Sequence, residues 1–287
     1  WRTSDVFASL SADIGDKEIG TGGMYGFLSV ALRVHQKYGG VAVVAWEGTN
    51  NFRYRLYPDY KKKAEPDLDR IEFMEDMAGQ ELRLKAMLRA LGVRQYCAVG
   101  CEADDVIGRL VYNAQQTKKH AVVYSGDSDL RQLVGKHCTV IAPAPKGKDA
   151  VYDYDAVIEK HGVEPQYIAD LKALAGDHSD NIPGINGIGA KKAASLINAF
   201  GNVQAIIFAA ANSNKESWPV EDKFRQIITD EADKLKLYKE LTTIRTDAGS
   251  RFIKPKKDKA RLLRYFVLYK FRSLVNPPEL NALMKMA

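Results

Sequence analysis

The chain is poor in cysteine and lacks any long hydrophobic run. Only three of its 287 residues are cysteines; Cys97, Cys101 and Cys138 are odd in number and too few to staple a fold of this length. That excludes a disulfide scaffold and fits a reducing compartment. Cys97 and Cys101 resemble half of a zinc site, but no second Cys or His pair stands at ligand spacing, so they read as buried free thiols. There is no stretch of about 18 apolar residues and no basic-then-apolar leader. The expectation is a cytoplasmic protein with no membrane partner. Internal repeats and low-complexity tracts are also missing. What is present is 46% hydrophobic residues, enough for a substantial core, and 42 Lys and Arg against 36 acids, a formal charge of +6. An excess of this sign favours an anionic partner.

Residues 41–46 and 121–125 are short, continuously apolar and β-branched, as expected of strands in a parallel sheet. Weaker strand signals lie at 95–99 and 139–142, and helical periodicity covers 26–38, about 74–91 and 104–115. This alternation predicts an α/β fold, a mostly parallel central sheet flanked by helices. After Asp153 the strand signals stop. The expected division is therefore an α/β domain over 1–150 and a helical region over 151–287. The charged segment at 61–69, which contains Pro66, reads as an exposed loop or helical insertion. Lys254-Pro255-Lys256-Lys257-Asp258-Lys259 is a basic run of the kind that ordinarily forms a solvated face.

The acids gather at the carboxyl ends of the expected strands. Glu47 follows the first; Glu102, Asp104 and Asp105 lie between the strand at 95–99 and the next helix; Asp127 and Asp129 follow the strand at 121–125. In open parallel sheets ligands bind at that edge. So many carboxylates in one crevice repel unless a cation sits among them. Hard oxygen donors favour Mg²⁺, with Mn²⁺ as a substitute, and a site for two such ions is apparatus for phosphodiester hydrolysis. An alternative stands beside this: Glu102, Asp104 and Asp105 also suit the first turn of a helix, where the dipole favours acids.

A second stretch runs from Ala175 to Ala194. Gly184, Gly187 and Gly189 permit a tight turn into a helix whose first N–H groups, with Lys191 and Lys192, suit a DNA-backbone phosphate. Just upstream, Asp177 and Asp180 are placed to extend the acidic site. His178 between them reads as exposed.

At these residues the sequence resembles the 5′-nuclease, or flap-endonuclease, family found in bacterial DNA polymerase I and in freestanding phage nucleases. Phe52-Arg53 through Leu56-Tyr57-Pro58-Asp59-Tyr60-Lys61 is similar to that family's FR…YPEYK stretch, and Glu102 to Gly108 to its EADDVIG motif. Gly126 to Val134 resembles GDKDLxQLV, and Gly176 to Gly184 resembles GDxSDNIPG. The resemblance implies a structure-specific 5′ nuclease with flap-endonuclease and 5′-3′ exonuclease activity in replication or repair. Its metal ligands, directly or through water, would be Glu102, Asp104, Asp105, Asp127, Asp129, Asp177 and Asp180, with Glu47 where the family has Asp. It further implies that Lys61 contacts the scissile phosphate, that Tyr60 stacks on a base and that Arg2 is a second cationic phosphate contact. A helical arch would occupy about residues 60–90, and a helix–three-turn–helix about 174–200, binding duplex DNA and K⁺. The implied partner is DNA with a 5′ flap or 5′ end, or an RNA primer hybrid, met by a monomer.

The family also begins with a strand ending in Asp-Gly that supplies a carboxylate, whereas this chain starts after that point at Trp1, which leaves the expected metal site incomplete. Ala64 stands where arginine is common. Two other readings follow from the same residues: a catalytically impaired DNA-structure-binding protein of this fold, and a PIN-type ribonuclease.

Overall fold

The computed structural model describes residues 11–14, 17–62, 65–144, 148–212 and 218–287. In order, the first elements are β1 (Ser11–Ile14), β2 (Lys17–Gly20), α1 (Gly22–Tyr38), β3 (Val43–Trp46), α2 (Phe52–Leu56), α3 (Leu68–Leu91), β4 (Arg94–Cys97), α4 (Ala103–Gln116) and β5 (Ala121–Tyr124). A 3₁₀ turn at Asp129–Leu133 leads to β6 (Cys138–Ala142), β7 (Ala150–Tyr152), α5 (Tyr154–His161), α6 (Ile168–Ala175), α7 (Ala190–Phe200), α8 (Val203–Asn212), α9 (Lys223–Asp230) and α10 (Ala232–Thr242). Then come β8 (Arg251–Ile253), α11 (Lys259–Leu268), α12 (Arg272–Val275) and α13 (Pro277–Lys285). Packing divides the chain into two compact units. The first is built from Trp1–Trp46, Ala64–Cys97 and Ser250–Ala287, the second from Glu47–Lys63 and Ala98–Gly249.

In the first unit β3 runs parallel to β4, and β8 pairs antiparallel with the other edge of β4. A parallel pair needs a long crossover, and α3 provides most of it. Leu84, Leu88 and Leu91, with Met87 beside them, repeat at helical spacing and are buried against Met24 and Leu28 of α1 and Leu262 and Phe266 of α11. Asp67 caps α3 by accepting the Arg70 N–H at 2.9 Å. Gly92, in the left-handed region, stops it. The first half of α3 turns its apolar residues outward, with Leu68 77% exposed. Trp46 donates its indole N–H to the buried Gln95 at 2.9 Å, which ties β3 to β4 by side chains as well as by backbone.

The second unit contains β5 parallel to β6, with β7 antiparallel on the far edge. Its core centres on α6, whose Ile168, Leu171, Ala173 and Leu174 are all buried. One acid of that helix is buried too: Asp170 accepts the Val203 N–H at 2.9 Å, at the start of α8, and the Lys239 ammonium at 2.7 Å. The loop between α6 and α7 is the tightest part of the unit. Asp177 and Ile182 exchange backbone hydrogen bonds of 2.7 and 2.8 Å. A Cβ on Gly184, whose φ is +68°, would lie 2.3 Å from the Gly176 nitrogen, so glycine is required there.

The α/β expectation holds, and the sheets are mixed: each three-stranded sheet has one parallel and one antiparallel pair. The β1–β2 hairpin, β7 and β8 were not foreseen; at three or four residues each they are too short to show a period. β8 lies where the sequence reads as helical. Val43 and Val122 are each 42% exposed, so neither strand is covered on both faces as expected. Cys101 and Cys138 are buried free thiols and Cys97 is half-buried. No described helix is by itself long and apolar enough to cross a membrane.

Candidate metal centre

The acids singled out in the sequence all belong to the second unit, and its architecture sorts them into different jobs. α4 begins at Ala103 with Glu102 as N-cap and Asp104 and Asp105 in the first turn. Asp105 is completely buried. One of its oxygens accepts Arg53 Nη1 at 2.7 Å and the Glu102 N–H at 3.0 Å; the other accepts Arg53 Nη2 and the Arg245 N–H, both at 2.9 Å. Four donors use the four lone-pair positions of a carboxylate. Burial opposes its charge, yet the Arg53 guanidinium holds Asp105 below the usual carboxylate range. The oxygens of Asp105, a metal ligand in the sequence expectation, are here taken up by a helix cap and a buried ion pair.

Arg53 is the partner that sequence reasoning passed over. Besides Asp105 it donates to the Leu241 and Thr243 carbonyls at 2.8 and 2.9 Å and lies 3.3 Å from Glu102. It stood next to Phe52 in the stretch quoted above. Its significance appears only when the backbone beyond α10 is placed beside it.

Tyr60 and Lys61 form a bracket over Glu102 and Asp180. The Tyr60 hydroxyl lies 3.1 Å from Glu102 and 2.8 Å from Asp180, and the Lys61 ammonium lies 2.6 Å from Glu102 and 3.8 Å from Asp180. The Lys61 N–H also donates to the Asp180 carbonyl at 3.0 Å, and the Asn181 amide to the Asp59 carbonyl at 2.9 Å. The turn at residues 57–62 is thereby clasped to the α6–α7 loop. Tyr60, expected from the resemblance to stack on a base, is 1% exposed. Burial, then the Glu102 and Asp180 carboxylates, drive its phenol far above the usual range, so it remains a donor.

Asp129, Asp177 and Asp180 each place one carboxylate oxygen within 4.8 Å of the others. Lys172, the only basic residue of α6, sits between two of them: its ammonium is paired with Asp129 and lies 2.6 Å from Asp177. A lysine in a helix whose other residues are apolar but for Asp170, five residues before Asp177, was the available signal. Asp177 also accepts the Ser179 N–H at 2.8 Å and hydroxyl at 2.6 Å. Asp127 accepts the Asp129 N–H at 2.9 Å, a local turn that aims both side chains. Among the described residues Asp104 has no hydrogen-bond or ion-pair partner of this kind. Burial, followed by the charges of Asp127 and Glu102, pushes its carboxyl up to about 7. Three convergent oxygens, plus a carboxyl raised by uncompensated neighbours, are what a hard divalent cation would relieve, so the residues fit such an ion.

The remaining candidates lie as follows. Glu47 is exposed and accepts the Ala103 N–H at 2.7 Å, at the start of α4. Gly184 and Gly187 have positive φ, and Gly189 is the N-cap of α7. Lys191 is exposed; Lys192 is paired with Glu221 at 2.8 Å. His178 is exposed. Arg2 and Ala64 lie outside the described residues.

Comparison with known proteins comes to the same place. A sequence model of the 5′-3′ exonuclease N-terminal resolvase-like domain matches residues 6–162, and one of the 5′-3′ exonuclease C-terminal SAM fold matches 163–260. The chain is 34% identical over 229 residues to DNA polymerase I of Chloroflexus aurantiacus, covering 78% of this chain and 23% of the polymerase. It therefore spans less than a quarter of that relative. A 5′-3′ exonuclease of Aquifex aeolicus is 35% identical over 191 residues, 65% of this chain and 62% of that protein. Among solved structures, the bacteriophage T5 flap endonuclease with DNA and metal ions aligns with a TM-score of 0.63 at 22% identity, over 91% of this chain and 88% of its own, a likeness of fold.

Three outcomes are expected. Asp105→Asn should cost about 3 kcal/mol of stability by stranding the buried Arg53, while Asp129→Asn should weaken Mn²⁺ binding with little loss of stability; urea unfolding and calorimetric Mn²⁺ titration check the pair. For Asp104 the folded chain keeps a proton up to about pH 7 that the unfolded chain releases near the ordinary value of 3.8. Its contribution to stability therefore falls as pH rises through that window. In EDTA, Asp104→Asn should flatten the decline in urea midpoint that the unaltered chain shows there. Lys172→Met removes an ammonium that competes for Asp129 and Asp177, and should tighten Mn²⁺ binding by about tenfold; weaker binding would instead mean that the lysine aligns the two acids.

Proposed function

The chain belongs to the 5′-3′ exonuclease family, and from that premise we propose that it is a structure-specific 5′ nuclease. It hydrolyses DNA phosphodiesters near 5′ ends and single-strand/duplex junctions, as flap endonuclease and 5′-3′ exonuclease, in replication or repair. The observation that carries this reading is the convergence of Asp129, Asp177 and Asp180, with Tyr60 and Lys61 tying Asp180 to Glu102. Mg²⁺ or Mn²⁺, when bound as a pair, supplies an attacking water of lowered pKa and positive charge at the scissile phosphate.

The chain's own residues do the rest. Glu102, Asp104, Asp127, Asp129, Asp177 and Asp180 are the proposed ligands, with Glu47 at the margin. Tyr60 fixes the orientation of Glu102 and Asp180 by a hydroxyl that stays protonated. Lys61 remains an ammonium: burial opposes its charge, but Glu102, Asp180 and Asp104 together outweigh that cost, and it is about one-third exposed. It can therefore turn from Glu102 to a phosphate oxygen and neutralise charge that grows there. Arg2 is proposed as a second such contact.

Around this centre the proposed division is a catalytic part over 1–150, with an arch at about 60–90, and a DNA-binding part over 151–287. The turn at Gly184, Gly187 and Gly189, with Lys191 and Lys192, would hold the duplex backbone, with K⁺ at the loop. The T5 flap endonuclease was solved with DNA and metal ions, and we extend that partnership to this chain as a monomer acting on 5′-flap DNA or RNA-primer hybrids. A second reading, a DNA-structure-binding protein with impaired catalysis, draws support from Asp105 being committed to Arg53 and from Lys172 lying among the ligands.

Cleavage of an end-labelled 5′-flap duplex in Mg²⁺, beside duplex binding in EDTA, separates the two. Asp127→Ala should abolish cleavage and leave binding intact. Lys61→Ala should slow single-turnover cleavage by about 10²-fold with little change in affinity. Tight flap binding without any cleavage by the unaltered chain would favour the second reading.

A further inference from the structure

The basic run at residues 254–259 has a defined place in the first unit. Lys256 donates its N–H to the Arg89 carbonyl at 3.0 Å and Asp258 to the Ala90 carbonyl at 2.8 Å. The run thus clasps the last turn of α3, where carbonyls lack helical partners. Asp258 then caps α11 by accepting the Arg261 N–H at 2.9 Å. These bonds enclose a half-open cavity of about 290 Å³ whose lining includes Lys85, Arg89, Lys256 and Arg261, with Ile253 among its apolar residues and Asp258 as the one acid.

The charge there is unbalanced. Lys85 is paired with Glu81 at 2.5 Å and lies over the Trp46 ring, and Asp258 is occupied as a cap. Among the described residues, Arg89, Lys256 and Arg261 have no carboxylate partner, and all three are exposed. Each arginine is oriented through Nε, Arg89 by the Lys254 carbonyl at 3.2 Å and Arg261 by the Tyr265 hydroxyl at 3.0 Å. That leaves the paired terminal nitrogens, the fork that matches phosphate oxygens. Like charges held around one cavity repel, and an anion removes the penalty.

We propose that this cavity is a separate phosphate-binding site on the first unit and that it takes backbone phosphates of duplex nucleic acid. Three unneutralised cations exceed what a single carboxylate would need and suit successive phosphates, while Ile253 and the aliphatic stems of Lys85 and Lys256 offer apolar contact to sugars. The proposal rests on the nuclease reading only for the source of the phosphate.

The test measures duplex binding by fluorescence anisotropy in EDTA from 50 to 200 mM salt, over which the Debye length falls by about half, for Arg89→Gln, Lys256→Gln, Arg261→Gln and the triple variant, with Lys119→Gln as a control for net charge. The triple variant should bind at least about tenfold more weakly and lose about 2 to 3 from the slope of log K against log salt. Single-turnover cleavage of saturating flap DNA should be unchanged. Unaltered affinity and slope would overturn the proposal, as would an equal loss per charge in the control. Calorimetric binding of pyrophosphate to the unaltered chain, with duplex affinity unaffected by the variants, would assign the cavity to free phosphates and overturn the nucleic-acid occupant. If the unaltered chain fails to cut flaps while the variants still lose duplex binding, the nuclease reading falls and this site stands.

Discussion

A guanidinium almost wholly out of contact with water holds the candidate site in register. Arg53 is 2% exposed and bonds to the start of α4 and to the backbone at the end of α10. Removing such a charge from water is costly, and the geometry offsets that cost only because both oxygens of Asp105 and two carbonyls receive its N–H groups. With Arg53 fixed, Glu102 is fixed at the N-cap beside it, and Glu102 is where Lys61 and Tyr60 attach. The position of Glu102, and through Lys61 and Tyr60 that of Asp180, depends on a pair of charges that faces inward.

The outward acids present the opposite problem. They repel one another, and the chain answers with ammonium groups: Lys61 at Glu102 and Asp180, Lys172 at Asp129 and Asp177. At Asp104 the nearby Lys61 charge is outweighed by burial and by Asp127 and Glu102, and its carboxyl is raised. A site balanced by its own lysines can keep its shape before a cation arrives. The same lysines are then competitors that a cation must displace, so stability and affinity are linked through them.

Much of this was legible in the sequence because it rests on local pattern. Acids that follow apolar runs announce the strand ends, and glycines 184 and 187 announce a turn whose φ values only glycine adopts easily. What was not legible rests on contacts between distant segments. Nothing in residues 102–105 distinguishes Asp104, crowded by Asp127, from Asp105, neutralised by Arg53; all three acids do sit at the start of a helix, and Asp105 is spent on capping it and on an ion pair. Tyr60 looked available to a base until the α6–α7 loop closed over it. β8 was invisible because three residues carry no periodicity, and its pairing with β4 is decided by the rest of the first unit.

Lys61 has a backbone φ of +52°, a region that asparagine and glycine enter far more readily than a side chain of this kind. Local conformation and chemistry therefore make opposite demands on one position. Replacement by glycine would relax the turn and remove the ammonium in the same step. A lineage selected only for a sturdier fold would drift toward that exchange, whereas one in use at the site would resist it, so the identity of this residue in related chains is a record of whether the site has been kept at work.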